Sequence, residues 1–136
     1  MRDILVSAHN GLWHHICVTW ESNDGSWKFY KNGDLKDENT NFKTSYTIRQ
    51  GGTLVLGQDQ DSVGGGFNAD QSFQGMLSNV NIWNKALAAE KIRKMSQSCL
   101  LEEATDQIAY KWLDFVHEGG AKLVKPSPCQ PVVMGK

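Results

Sequence analysis

Between Gly57 and Ser72 the chain reads Gly-Gln-Asp-Gln-Asp-Ser-Val-Gly-Gly-Gly-Phe-Asn-Ala-Asp-Gln-Ser. The segment is crowded with carboxylate and amide oxygens and with glycine. Hard cations such as Ca2+ gather roughly six to eight oxygens from carboxylates, amide side chains and backbone carbonyls. Asp59 and Asp61 can converge on one ion if the loop turns, and Gln60 between them can offer its backbone carbonyl. Gly64, Gly65 and Gly66 let the chain fold back, so that Asn68 and Gln71 can add oxygens. The pattern is not an EF-hand, whose flanking helices and spaced Asp-Gly-Glu ligands are missing. A solvated acidic loop has the same composition, and residue types alone do not choose between the two. A phosphate-binding loop would need Gly-Lys-Ser/Thr opening a helix, which does not follow the glycines.

Other groups carry less. His14 and His15 are neighbours on an expected strand and therefore point to opposite faces, which suits a surface or satisfied histidine better than a shared metal. Glu102 and Glu103 lie beside Cys99 and read as a solvated loop face. Gly-x-Ser-x-Gly is absent, so no serine nucleophile is indicated. A glycosidase would need two carboxylates facing one another across a cleft, and no Glu-x-Asp-x-x-Glu strand pattern is present. Neither of these two catalytic patterns is therefore indicated.

The oxygen-rich loop needs elements to hold it. Leu12 to Trp20 reads as a strand with apolar residues on both faces. Ser26 to Lys31 reads as a second, closed by Asn32-Gly33, the sequence of a type I′ turn. Asp34 to Lys43 is polar and reads as loop. Tyr46 to Ile48, Thr53 to Leu56 and Phe73 to Trp83 read as strands. Leu77 is out of phase with Val80 and Ile82, so a bulge is expected between them. Leu87 to Gln97 is the one expected helix, burying Ala89, Ile92 and Met95, with Glu90 and Lys94 paired at i,i+4. Gln107 to Phe115 and Ala121 to Lys125 read as the last strands.

The chain has 136 residues, 14 Lys plus Arg, 15 Asp plus Glu and a formal net charge of -1. That balance gives no basic stripe for nucleic acid and no polybasic membrane-surface patch. No apolar run approaches the ~20 residues of a membrane-spanning helix, and the first residues do not read as a secretory signal peptide. The 13 Gly and 5 Trp with only one helical pattern point to an all-β chain. With no linker or repeat, residues 1–136 read as a single domain. Cys17, Cys99 and Cys129 make an odd count. They are either plain buried thiols or the remainder of a set with a missing partner.

His15-Ile16-Cys17-Val18-Thr19-Trp20-Glu21-Ser22 resembles the pentraxin signature His-x-Cys-x-Ser/Thr-Trp-x-Ser. Leu54 to Ser62, then Gly64-Gly65 and Phe67, resemble the calcium loop of that family. Gln71 to Gly75 and Asn79 to Trp83 continue the match in order. The resemblance runs from about Gly11 to Pro131 and implies a concanavalin or laminin-G-like jelly-roll sandwich of two antiparallel sheets with one short α-helix. It further implies an extracellular, calcium-dependent recognition module that holds an anionic or polar ligand, phosphate-bearing or carbohydrate, through bound Ca2+. Carried over by residue, Asp59 and Asp61 bridge two ions, Gln60 gives its main-chain carbonyl and Gln71 its side chain. Asn68 stands where the family has an acid. Cys99 and Cys129 resemble the late disulfide of neuronal-type pentraxins, and the family partner of Cys17 would lie upstream. The resemblance covers the last two-thirds of a pentraxin domain, so an N-terminally incomplete domain is expected, with homo-oligomerisation in the full one. An adhesion or structural domain of laminin-G type with a vestigial metal site shares the fold and is the alternative.

Overall fold

The computed structural model describes residues 10–98 and 107–125. They divide into two compact units. One comprises the described residues of Met1–Tyr46 and Ser78–Lys136, and the other is Thr47–Leu77.

The first unit is built on an antiparallel meander, β1 (Ile16–Glu21), β2 (Ser26–Lys31) and β3 (Asp34–Asn39), in the order β1-β2-β3. Cys17 lies opposite Tyr30, Val18 opposite Phe29 and Trp20 opposite Trp27. Asn32 and Gly33 form the turn into β3 with φ of 54° and 84°, the paired positive values of a type I′ hairpin. β4 (Ile82–Trp83) and β5 (Ile108–Tyr110) pair antiparallel as a second, two-stranded sheet. The helix α1 (Ala89–Gln97) follows β4. The described residues are thus mainly β, with two antiparallel sheets and one short helix. No helix among the described residues is long and apolar enough to cross a membrane.

The meander packs one face on α1. Tyr30, Leu87 and Ile92 are buried, with Cys17, Trp83 and Met95 packed against them. Ile92 is fully buried, Met95 is half-buried and Ala89 is exposed, so the helix buries a narrower stripe than its period suggests. Glu90 and Lys94 form the expected pair, at 3.1 Å. Ile16 and Val18 lie on the other face of β1 and are 45% and 61% exposed. Both faces of β1 are apolar in sequence, but only the Cys17 and Thr19 side is covered among the described residues.

Several expected elements differ. The polar run from Asp34 begins with a strand, because β3 is held by backbone bonds to β2 and needs no apolar side chains. Its Asp34, Lys36, Asp37 and Glu38 suit an exposed edge, where charge discourages pairing with another chain. Lys28 and Glu38 face each other across the two strands at 3.6 Å. The stretches Tyr46 to Ile48, Thr53 to Leu56, Ala121 to Lys125 and most of Phe73 to Trp83 are irregular. A short apolar run becomes a strand only where a partner strand completes its ladder. After β5 the chain coils into a 3-10 turn, Trp112–Asp114. The register shift found in this region lies between Ile82 and Trp83 rather than between Leu77 and Val80.

Candidate metal centre

The second unit holds all the loop residues singled out above. Its two arms run antiparallel. The Phe73 N–H donates to the Gly57 carbonyl at 2.9 Å, Gln58 and Ser72 form an isolated bridge, and the Gln58 amide donates to the Ser72 hydroxyl. The next rung places Gln71 Nε2 at 3.5 Å from Asp59 Oδ2, the outer limit of a hydrogen bond. Residues 12 apart in sequence are thereby brought side by side.

The tip of the loop is closed by its own backbone. Ser62 and Gly65 exchange hydrogen bonds of 3.0 and 3.3 Å around Val63 and Gly64. Gly66 has φ of 74°, and a Cβ on it would lie 2.8 Å from Asp61 Cβ. Only glycine lets the returning chain lie this close to Asp61. Asp61 is therefore fixed at the base of the tip, with its carboxylate exposed.

Gln60 is used differently from its neighbours. Its Nε2 donates to the Thr53 carbonyl at 2.8 Å, and its Oε1 accepts from the Gly64 N–H at 3.0 Å. The side chain is committed to bracing the loop. Asn68 is the N-cap of a single 3-10 turn, Ala69–Gln71, and its Oδ1 accepts from the Asp70 N–H at 3.0 Å. That turn presents Gln71 toward Asp59.

Asp59, Asp61 and Gln71 thus offer hard oxygen donors on exposed, braced backbone, which is the donor chemistry Ca2+ selects. Gln58, which the sequence reading did not single out as a ligand, has a buried Oε1 with no hydrogen-bond partner beside Asp59. Period-2 alternation puts Gln58 and Gln60 on the side of the arm opposite the two aspartates, so Gln58 braces the arms through Ser72 rather than joining Asp59 and Asp61. Among the described residues no group of three or more His, Cys, Asp or Glu side chains comes together. A cation here would rely on amide and backbone oxygens beside two carboxylates.

The other candidates separate from this loop. His14 bonds Asn10 and Asn32 through its two ring nitrogens. His15 has a buried, unpartnered Nδ1, and burial lowers its pKa below the ordinary value. Cys17 is a free, half-buried thiol whose pKa burial pushes up to about 11. Cys99, Cys129, Glu102 and Glu103 lie outside the described residues.

A family model described as the Pentaxin family matches residues 3–126. The sushi, von Willebrand factor type A, EGF and pentraxin domain-containing protein 1 of Rattus norvegicus is 41% identical over 110 residues, covering 81% of this chain and 3% of that protein. Neuronal pentraxin-2 of Cavia porcellus is 41% identical over 105 residues, covering 77% of this chain and 24% of that protein. The human neuronal pentraxin-2 is 47% identical over 83 residues, covering 61% and 19%. Among solved structures, the native heptameric SAP-like pentraxin of Limulus polyphemus aligns with a TM-score of 0.62 and 37% identity, over 65% of this chain and 41% of that one. That neighbour has a jelly-roll fold.

Proposed function

This chain belongs to the pentraxin family, and on that premise we propose that it is a calcium-dependent extracellular recognition module, a binding protein rather than an enzyme. The pentraxin family and the neighbours found are non-enzymatic binding proteins, and its members are in general extracellular. The chain spans only 3% to 24% of the curated relatives quoted above, so the reading concerns this segment. The family model runs across both units, which supports taking them as one pentraxin-like domain.

The observation that carries the proposal is the meeting of Asp59 and Gln71 across the paired arms. Asp59, Asp61 and Gln71 would hold the ion through side chains and Gln60 through its main-chain carbonyl, since its side chain is already bound. Gln71 presents Nε2 to Asp59. Half a turn of that amide presents Oε1 instead, as a cation requires. Asn68 keeps an amide oxygen near the turn but lacks the formal charge of an acid, so it would be the weakest ligand of the set. Bound Ca2+ supplies open coordination positions that phosphate or hydroxyl oxygens of a ligand can fill. The heptameric state of the Limulus protein supports homo-oligomerisation as the route to avidity. A Cys99–Cys129 disulfide is proposed alongside.

The test is a thermal melt in ~2 mM Ca2+ against EDTA, with the Asp59→Ala/Asp61→Ala variant beside it. For a Kd of about 0.1 mM, usual for extracellular sites, linkage gives about 1.8 kcal/mol and a rise in Tm of about 5 °C. The rise should vanish in the variant. A cooperative melt that calcium does not move, or moves equally in the variant, refutes the proposal and favours an adhesion role.

A further inference from the structure

The sequence holds two Asn-Gly pairs, Asn10-Gly11 and Asn32-Gly33, and one histidine touches both. The hydrogen bonds fix which nitrogen of that ring carries its proton. The His15 backbone N–H, which can only donate, meets Asn32 Oδ1 at 3.0 Å. Asn32 therefore turns its Nδ2 toward His14 Nδ1, 3.3 Å away. A ring nitrogen facing an amide N–H must accept, so the ring proton sits on Nε2. Nε2–H then donates to Asn10 Oδ1 at 2.9 Å. The same oxygen accepts from the Leu12 N–H at 3.1 Å.

The two asparagines are thus in opposite chemical situations. Deamidation begins when the nitrogen of the following residue attacks the side-chain Cγ, and negative charge develops on Oδ1. Two donors already aimed at that oxygen stabilise the charge in the manner of an oxyanion hole. Asn10 is exposed, and the space around Gly11 is open. At Asn32 a single donor, the His15 N–H, reaches Oδ1 against two at Asn10, and Nδ2, the leaving group, faces an acceptor when it needs a proton. The Asn32 N–H is also bonded to the His15 carbonyl at 2.8 Å, and Gly33 is buried against α1.

We infer that Asn10-Gly11 is a site of spontaneous deamidation primed by the Leu12 N–H and the His14 ring, and that the same ring holds Asn32-Gly33 inert. The Gly11 nitrogen bonds to Asn10 Cγ, the Cγ–Nδ2 bond breaks, and the proton from Gly11 leaves with Nδ2 as ammonia. Water then opens the succinimide to aspartate or isoaspartate, so no oxidant or cofactor enters. The product places a new carboxylate, or an extra backbone methylene, just ahead of β1.

The full chain, held at neutral pH and physiological temperature, is sampled over weeks and digested with trypsin. Asn10 falls on the Asp3–Lys28 peptide and Asn32 on Asn32–Lys36, and fragment ions separate Asn10 from Asn23. Asn10 should convert roughly ten-fold faster than Asn32, less than the 10²–10³ of a sequestered oxyanion donor because the site is exposed. In urea the two rates should become equal. Asn32 keeping pace with Asn10 in the folded chain overturns the inference. His14→Ala should slow Asn10 and speed Asn32, and both rates unchanged would also overturn it. Gly11→Ala should suppress conversion at Asn10 alone, while conversion there at the wild-type rate excludes the succinimide route. If circular dichroism shows His14→Ala unfolded, the folded-against-urea comparison of the wild type decides.

Discussion

Replacing Gly33 by alanine tests the joint between the β2–β3 turn and α1. Two separate terms oppose the new methyl. Gly33 has φ of 84°, and the left-handed region costs an L-residue about 1–2 kcal/mol. The methyl would also meet the Ser96 hydroxyl and come within 3.1 Å of Arg93 Cα. Ser96 can swing aside, but it then gives up its 2.7 Å bond to the Arg93 carbonyl, worth about 0.5–1.5 kcal/mol. Arg93 Cα is backbone, so the helix itself must shift by a few tenths of an ångström, an overpacking strain of about 1–3 kcal/mol. With these terms partly shared, Gly33→Ala should destabilise by about 2–4 kcal/mol. Urea unfolding followed by tryptophan fluorescence reads this as a fall in midpoint of roughly 1–3 M at unchanged m. Combining it with Ser96→Ala should restore the hydroxyl share and leave the backbone share. A loss below about 0.5 kcal/mol, or a loss identical in the Ser96→Ala background, would refute the argument that turn and helix are in rigid contact.

Ile92→Ala empties the one fully buried position of α1 and should cost about 2–5 kcal/mol in the same assay; a change under about 1 kcal/mol would show that the helix does not seat on the meander. Cys17, held up at about 11, should alkylate at pH ~8 on the order of a hundred-fold more slowly folded than in urea, read on its own tryptic peptide; equal rates would mean that β1 is open on that side. Burial lowers the pKa of His15, so the unfolded chain binds its proton first as pH falls. The contribution is whole above the unfolded value of about 6.5 and is lost as pH drops through that value toward the lower folded one. His15→Gln should flatten this part of the stability profile, and an unchanged acid limb would rule His15 out as its source.

What could be read from the sequence follows a physical divide. The Asn32-Gly33 turn and the Ile92–Met95 stripe are local, so residue identity is enough. β3 is not local: its backbone pairs with β2 whatever its side chains are, and a polar edge strand looks like loop. The apolar runs at Thr53 and Phe73 mislead in the opposite sense, since β-propensity without a paired neighbour gives no ladder. At the loop, Asp59 and Asp61 announce their chemistry by type and spacing. Their relation to Gln71 depends on two arms meeting across Gly57 and Phe73; the glycine run allows that return and the family resemblance implies it, but neither gives the backbone pairing that sets it. The use of the Gln60 side chain as a brace and of Asn68 as a cap depends on which backbone groups lie within reach, and no linear pattern carries that.

The open side of β1 bears on the order in which things happen. β1, β2 and β3 join neighbours in sequence, and contacts this local form early and fast. Ile16 and Val18 are then displayed on a finished sheet, and no described residue covers them afterwards. The meander is thus a ready-made surface for whatever apolar partner is present at the highest local concentration. During synthesis that competition is between a chaperone groove and a second nascent copy, so yield should depend on synthesis rate and chaperone supply as much as on final stability.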